Sequence, residues 1–152
     1  MDLPATNAAL RRLEQLVGEW SAEIRLPGDP ATVVHGRVEL TWLEGEGFLR
    51  VRSTVDKAEF PESVSIIGCD EAAGRYSMLY FDSRGVARIF EMSFAEGLWT
   101  LWRDSPDLSQ HFSQRYIGRL SDDGNTIIGR WEKAPDGSAW ELDFELTYTR
   151  IG

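Results

Sequence analysis

The residues of this sequence that could do chemistry are two histidines and a few arginines that share a strand face with apolar side chains. In "QHFSQRYIG", His111 and Arg115 are four positions apart, so an extended chain places them on the same face. If that face lines an interior, His111 could ligate a haem iron or form a hydrogen bond, and Arg115 could bind an anionic group. The alternative is an outward face on which both side chains are solvated. His35 is expected to face solvent.

Arg88 raises the same question in "RIFEMSF", where it shares a face with Phe90, Met92 and Phe94. A charge in an apolar stripe costs free energy unless it is paired or reaches water. We therefore expect Arg88 either at the mouth of a cavity or against the carboxylate of a ligand. The apolar part of such a ligand is expected to contact Phe90, Met92, Trp99 and Trp131.

Signals for catalysis and for metal binding are weak. Cys69 is the only cysteine, so an intrachain disulfide is impossible, and no cationic neighbour in the sequence activates its thiol. The chain has no Gly-x-Ser-x-Gly elbow, no phosphate-binding glycine loop and no paired Cys or His at metal-ligand spacing. We expect no metal and no cofactor, with haem on His111 as the one exception, and enzymatic activity stays open with little support.

The order of elements indicates a closed all-β fold. Residues 4–17 show helical periodicity, and Gly18 ends that pattern. Ten strands then alternate with turns rich in Gly, Asp, Asn and Pro, as in "PGDP", "DSRG" and "SDDGN". The predicted strands are about 19–26, 32–43, 47–55, 62–70, 75–82, 86–94, 98–104, 109–120, 126–134 and 138–149.

Short turns join neighbouring antiparallel strands, and a meander of ten strands would leave two open edges unless the sheet closes. We predict one domain over residues 1–152: an antiparallel ten-stranded up-and-down barrel over 19–149, with the helix closing one end. In the last strand the acidic residues Glu141, Asp143 and Glu145 share one face, which must be solvated. The residues of the other face are expected to point inward: Trp140, Leu142, Phe144, Leu146 and Tyr148. The central strands mix polar and apolar groups on both faces, which predicts either a polar-lined cavity or a face covered by a second subunit.

Charge and composition exclude several classes of partner. The formal net charge is −9, which disfavours nucleic acid and anionic membranes, since both need clustered Lys and Arg. No apolar run approaches the length of a membrane span, and the N-terminal residues lack the pattern of a signal peptide. We expect a cytoplasmic protein, in keeping with the single cysteine.

A helix followed by Gly18-x-Trp20, a long meander and a final Arg150 resembles the calycin superfamily, which includes lipocalins, fatty-acid-binding proteins and nitrobindin-like barrels. The resemblance implies that Trp20 closes the base of the barrel and that Arg150 packs across its ring. The strand count is closer to the fatty-acid-binding and nitrobindin branch, and "LVGEW" and "GRWEKAPDGSAWELDFELTYTR" are similar to a bacterial family without an assigned function. Two features depart from these relatives: "PGDPA" is too short for a helical lid, and residues 138–149 contain no histidine.

These observations predict non-catalytic binding of a small apolar or amphipathic molecule, which could be anionic, inside the barrel. Its polar end would meet Arg88, Arg115 or His111. Two alternatives stay open: a nitrobindin-like haem protein or enzyme that uses His111, and a homodimeric structural or interaction protein without a ligand.

Overall fold

The computed structural model describes residues 8–43, 47–70, 72, 75–107, 110–135 and 139–152. For residues 30, 105–107 and 110–112 the description covers the backbone alone. No helix within these residues is long and apolar enough to cross a membrane.

The described part of the chain begins with one short helical segment, which starts as an α-helix, α1 (Ala8–Arg11), and continues as a 3₁₀-helix (Arg12–Leu16). Of the helix predicted over 4–17, residues 4–7 lie outside the described part, and Val17 is already extended with φ −66° and ψ 133°. The ten strands are β1 (Gly18–Leu26), β2 (Asp29–Trp42), β3 (Leu49–Val55), β4 (Ser63–Asp70), β5 (Arg75–Asp82), β6 (Ala87–Ala95), β7 (Leu98–Asp107), β8 (Gln110–Leu120), β9 (Thr126–Pro135) and β10 (Glu141–Arg150).

Each strand pairs antiparallel with its neighbour in the chain, and β1 pairs with β10, so the sheet is a closed barrel in meander order. The closing register places Trp20 opposite Arg150 and Ile24 opposite Leu146. The predicted all-β, ten-stranded, up-and-down barrel with a short N-terminal helix is therefore confirmed. Closure removes the two sheet edges that an open meander would expose.

The helical segment packs its apolar side chains into the base of the barrel. Leu10, Leu13 and Leu16 are at most 2% exposed, and the Trp20 indole Nε1 donates a hydrogen bond to the Leu16 carbonyl oxygen at 3.0 Å. The Tyr76 hydroxyl on β5 donates to the carbonyl oxygen of Ala9. The helix is thus attached to opposite parts of the wall and closes this end.

The inward face predicted for β10 is correct in only one half of the strand. Leu146 is buried, whereas Leu142 pairs with Glu132 and Phe144 pairs with Trp131, so the register shifts by one residue between positions 142 and 144. Such a β-bulge moves side chains to the opposite face, because alternation along a strand has a period of two. The prediction that Trp140 lies inside is wrong: it is 40% exposed and stacks under Arg115 outside the barrel.

Candidate functional site

The barrel encloses a cavity of about 600 Å³ at the end away from the helix, and every strand contributes to its lining. This volume lies within the range of ordinary small-molecule sites. The wall is apolar near the base, with Ala22, Val38 and Leu101, and carries charged groups nearer the opposite end. The cavity is therefore amphipathic along the barrel axis.

Five aromatic residues form a continuous part of the wall, here named the aromatic belt: Phe90, Trp99, Tyr116, Trp131 and Phe144. The ring of Trp131 lies at its centre, with centroids 5.4 Å from Phe90, 5.4 Å from Tyr116 and 6.5 Å from Phe144. Trp99 joins through Tyr116, also at 5.4 Å. Contacts at these separations stabilise the belt as one packed unit.

Tyr116 lies flat against the wall because two neighbouring strands carry glycine beneath it. Gly118 on β8 and Gly129 on β9 are register partners, and a Cβ atom on either would stand 2.3–2.9 Å from the Tyr116 ring or hydroxyl. Both positions must therefore lack a side chain for the ring to lie there. The glycine pair keeps Tyr116 from filling the cavity.

The arginines of the rim lie on β6 and β7. Arg88 lines the cavity, with its guanidinium carbon 5.5 Å from the centre of the Tyr80 ring. Arg103 donates a hydrogen bond from Nη1 to Oε1 of the buried Gln114 at 3.3 Å, and its guanidinium carbon is 5.9 Å from the Phe90 ring centre. Arg88 thus lies in the cavity wall beside Tyr80, and Arg103 lies over Phe90 of the aromatic belt.

Tyr80, Asp82 and Arg84 form a hydrogen-bonded network at the rim. The buried Asp82 carboxylate accepts hydrogen bonds from the Tyr80 hydroxyl at 2.8 Å and from Arg84 Nη2 at 2.7 Å. Burial raises the pKa of Asp82, but these hydrogen bonds outweigh it and lower the pKa to about 2. Burial, together with the bond to Asp82, raises the pKa of Tyr80 to about 12. Asp82 is therefore ionised and Tyr80 protonated at neutral pH.

The opposite side of the rim is zwitterionic because of the bulge in β10. Glu141 and Asp143 line the cavity, and Asp143 Oδ1 lies 3.7 Å from Lys133 Nζ. The sequence alternation assigned these two carboxylates to the solvated face. The sequence does not predict that they line the cavity, because a bulge is not visible in the alternation of a single strand.

The residues that the sequence predicts for the ligand site differ in where the structure places them. Arg88, Phe90, Trp99 and Trp131 line the cavity. Met92 is buried in the core, 3% exposed, and is not part of the lining.

Arg115 and His111 do not add to the described lining. Arg115 lies outside the barrel: its Nε is 2.8 Å from Glu132 Oε1, and its guanidinium carbon is 4.0 Å from the Trp140 ring centre. The reason is the parity of β8, in which Gln114 and Tyr116 point inward and Arg115 between them points outward. The backbone of His111 pairs with Pro106, and its side chain lies outside the described residues.

The described lining offers haem no histidine, since His35 is exposed on β2. Among the described residues, no group of three or more His, Cys, Asp or Glu could hold a metal ion. The prediction that His111 binds haem therefore stays a prediction.

At the closed end, Arg150 makes the contact with Trp20 that the resemblance implied. Its guanidinium carbon lies 4.2 Å from the Trp20 ring centre. The same group donates to three carbonyl oxygens: Nη1 to Val17 at 2.6 Å, Nη2 to Gln15 at 2.8 Å and Nε to Gly124 at 3.1 Å. Arg150 therefore joins the end of the helix, the last strand and the β8–β9 turn.

Gly18 makes room for this network. It has a φ of +139°, and a Cβ atom there would stand 2.6 Å from Arg150 Nη1 and 2.6 Å from the Gly152 carbonyl oxygen. A side chain at position 18 would thus be strained in its backbone and would clash with the guanidinium.

Comparison with known proteins supports the fold and no more. No family model and no curated protein sequence matches the chain. The crystal structure of Rv2717c from M. tuberculosis superposes with a TM-score of 0.69 at 14% sequence identity, covering 99% of this chain and 100% of that one. A protein of unknown function of the DUF3598 family from Nostoc punctiforme covers 95% of this chain at 9% identity, with a TM-score of 0.29. The first of these shows a shared fold.

Proposed function

We propose that this chain is a calycin-like binding protein of the cytoplasm that holds a small amphipathic, anionic molecule in its barrel without transforming it. The observation that carries the proposal is the cavity of about 600 Å³ with an aromatic belt below and arginines above. Ligand sites in proteins combine apolar walls with a few placed polar groups in this way.

The positions of the charges support an anionic head group at the rim. Arg88 lies in the lining, and the guanidinium of Arg103 lies over the Phe90 ring. Hydrogen bonds from a guanidinium to a carboxylate or sulfonate are charge-assisted and roughly twice as strong as neutral ones. The apolar body of the ligand would lie against Phe90, Trp99 and Trp131, as the sequence predicts, whereas Arg115 is too far outside to contribute.

Blocking the cavity should remove binding of an anionic aromatic probe. We expect 1-anilinonaphthalene-8-sulfonate to bind with a blue-shifted emission, and Ser53→Trp to weaken that binding by about tenfold or more, because Ser53 lines the cavity. Thr149→Trp is the matched control, since Thr149 is exposed on the outer face of β10. Fluorescence titration and thermal unfolding of each variant provide the measurement. Equal affinity of the wild type and Ser53→Trp, with both folded, would contradict the proposal.

A second candidate function, self-association, is favoured by an apolar surface on the outside of β4–β6. The outer patch consists of exposed large apolar residues: Phe48, Val64, Leu79, Phe81 and Ile89. Four of them are contiguous, because Val64 pairs with Phe81 and Leu79 pairs with Ile89 across the strands. Phe48 lies further along β4, where its ring covers Gly68. Patches of this kind on soluble proteins commonly mark interaction sites.

Charges beside the patch indicate that its partner is a second copy of this chain. Arg50 and Arg52 on β3 flank one side, where Arg52 pairs with Val64, and Glu91 on β6 flanks the other beyond Ile89. A twofold axis that passes through the patch parallel to the strands would bring the arginines of one copy against Glu91 of the other. Self-association in this orientation would bury apolar area and pair opposite charges.

Sedimentation tests this dimer. We expect the wild type to be dimeric at a concentration of roughly tens of micromolar. Ile89→Glu should be monomeric, since an unpaired carboxylate in an apolar interface costs free energy. Ile128→Glu is the matched control: Ile128 is 66% exposed, against 68% for Ile89, but lies on β9. A monomeric wild type, or equal dissociation by both variants, would contradict this candidate.

A further inference from the structure

The floor of the cavity, the part of its wall formed by Trp99 and Tyr116, contains two buried hydrogen-bond donors without an acceptor among the described residues. Trp99 is 5% exposed and Tyr116 is 2% exposed, and both line the cavity. Within the described part of the chain, neither the Trp99 Nε1 nor the Tyr116 hydroxyl has a hydrogen-bond partner. A buried donor left without an acceptor destabilises a protein, so such a group in a cavity wall points to an acceptor that arrives with a ligand.

The two donors lie at one level of the barrel. Gly118 is the register partner of Trp99 on one side and of Gly129 on the other, and the Tyr116 hydroxyl lies over this glycine pair. Burial raises the pKa of the Tyr116 hydroxyl well above its usual value, so it stays protonated and able to donate. The two donors therefore belong to one level of the floor, and one acceptor group of a ligand is expected to serve both.

The distance between floor and rim sets the length of the ligand. Arg103 and Trp99 are four residues apart on β7, which corresponds to about 13 Å along the strand. Because arginine side chains are long, the distance between the guanidinium groups and the donors of the floor can be shorter than this backbone distance. A ligand with a head group at the rim and an acceptor at the floor must thus extend through the whole aromatic belt.

The belt favours a flat, rigid body between these two ends. The ring plane of Trp131 is tilted by 39° from that of Tyr116 and by 34° from that of Phe144, so the planes of these three neighbouring rings are closer to parallel than to perpendicular. Offset stacking on such faces rewards a planar π-system more than a flexible alkyl chain. A flexible chain would also lose rotamer entropy on entering.

From these observations, and resting on the proposed function, we propose that the ligand is a planar aromatic anion with a hydrogen-bond acceptor, such as a carbonyl oxygen, at the end opposite its acidic group. The acceptor binds Trp99 Nε1 and the Tyr116 hydroxyl, and the acidic group meets Arg88 and Arg103. The site is thereby polar at both ends and aromatic between them.

Two probes of matched shape test this assignment by calorimetric titration. 6-Acetyl-2-naphthoate carries the acceptor opposite its carboxylate, and 6-ethyl-2-naphthoate lacks it. We expect the wild type to bind the acetyl probe about tenfold more tightly. Tyr116→Phe and Trp99→Phe should each reduce that ratio, because each variant removes one of the two donors and keeps an aromatic ring. Oleate should bind more weakly than the acetyl probe.

The outcomes separate this inference from the proposed function. Equal affinities of the wild type for both probes, or an unchanged ratio in both folded variants, would overturn the role of the donors. Tighter binding of oleate would overturn the aromatic assignment. If neither naphthoate binds while 1-anilinonaphthalene-8-sulfonate still binds in the cavity, this inference fails and the proposed function stands. If the sulfonate also fails to bind, the proposed function fails.

Discussion

Replacing Arg150 with alanine is expected to lower the free energy of unfolding by about 3 kcal/mol or more. Hydrogen bonds to charged groups contribute about 1.5–3 kcal/mol each, and a cation–π contact adds about 0.5–2 kcal/mol. Arg150 makes three such bonds and also covers the Trp20 ring. The sum of these terms is an upper bound, since water can reach part of the side chain and replace some bonds.

Urea denaturation of three variants measures this effect. Arg150→Lys should be intermediate, because an ammonium keeps the charge but cannot reach three carbonyl oxygens in the fork of a guanidinium. Arg130→Ala is the control: its side chain is 57% exposed and its contact with Glu132 is 3.8 Å long, so we expect a change within about 0.5 kcal/mol. A change below about 1 kcal/mol for Arg150→Ala would contradict the role given to this network.

Gly129→Ala is expected to destabilise the barrel by about 1–3 kcal/mol and to weaken binding of 1-anilinonaphthalene-8-sulfonate. The added Cβ atom would stand 2.7–2.8 Å from three atoms of Tyr116, and the ring can escape only toward the cavity. Fold stability and ligand affinity should therefore fall together. Urea denaturation and fluorescence titration of the same preparation measure both.

A double-mutant cycle separates this clash from a general intolerance of β9. In a Tyr116→Leu background the ring is absent, so Gly129→Ala should cost much less than in the wild type. Gly68→Ala is the control, because the atoms nearest its added Cβ belong to the exposed ring of Phe48 at 3.3 Å, which can move outward. Additive effects of Gly129→Ala and Tyr116→Leu would show that the ring does not rest on this glycine.

The strands and their order could be predicted from the sequence because turn residues and alternation are local signals. β5 begins and ends where the pattern in "RYSMLYFD" does, and the chain order of antiparallel neighbours follows from the short turns between them. The Trp20–Arg150 contact does not follow from local signals, since residues so distant in sequence meet only once the barrel closes. The resemblance to the calycin superfamily is what predicts this pairing.

The candidate site could be predicted less well, because its geometry depends on relations between strands. The bulge in β10, which brings Glu141 and Asp143 to the rim, appears only in the pairing of Phe144 with Trp131. Tyr116 is not among the residues that the sequence predicts for the site, because Gly118 and Gly129 make room for its ring only as partners across β8 and β9. In β8 both faces mix polar and apolar residues, so the parity that places Arg115 outside could not be decided from one strand.

The central claim, that the barrel cavity is a binding site with arginines at its rim and an aromatic belt in its wall, is tested most directly by a crystal structure of the protein with 1-anilinonaphthalene-8-sulfonate. We expect the sulfonate within hydrogen-bonding distance of Arg88 or Arg103 and the rings against Phe90 and Trp131. A probe found only on the outer patch over Ile89, with the cavity filled by rearranged side chains, would contradict the account.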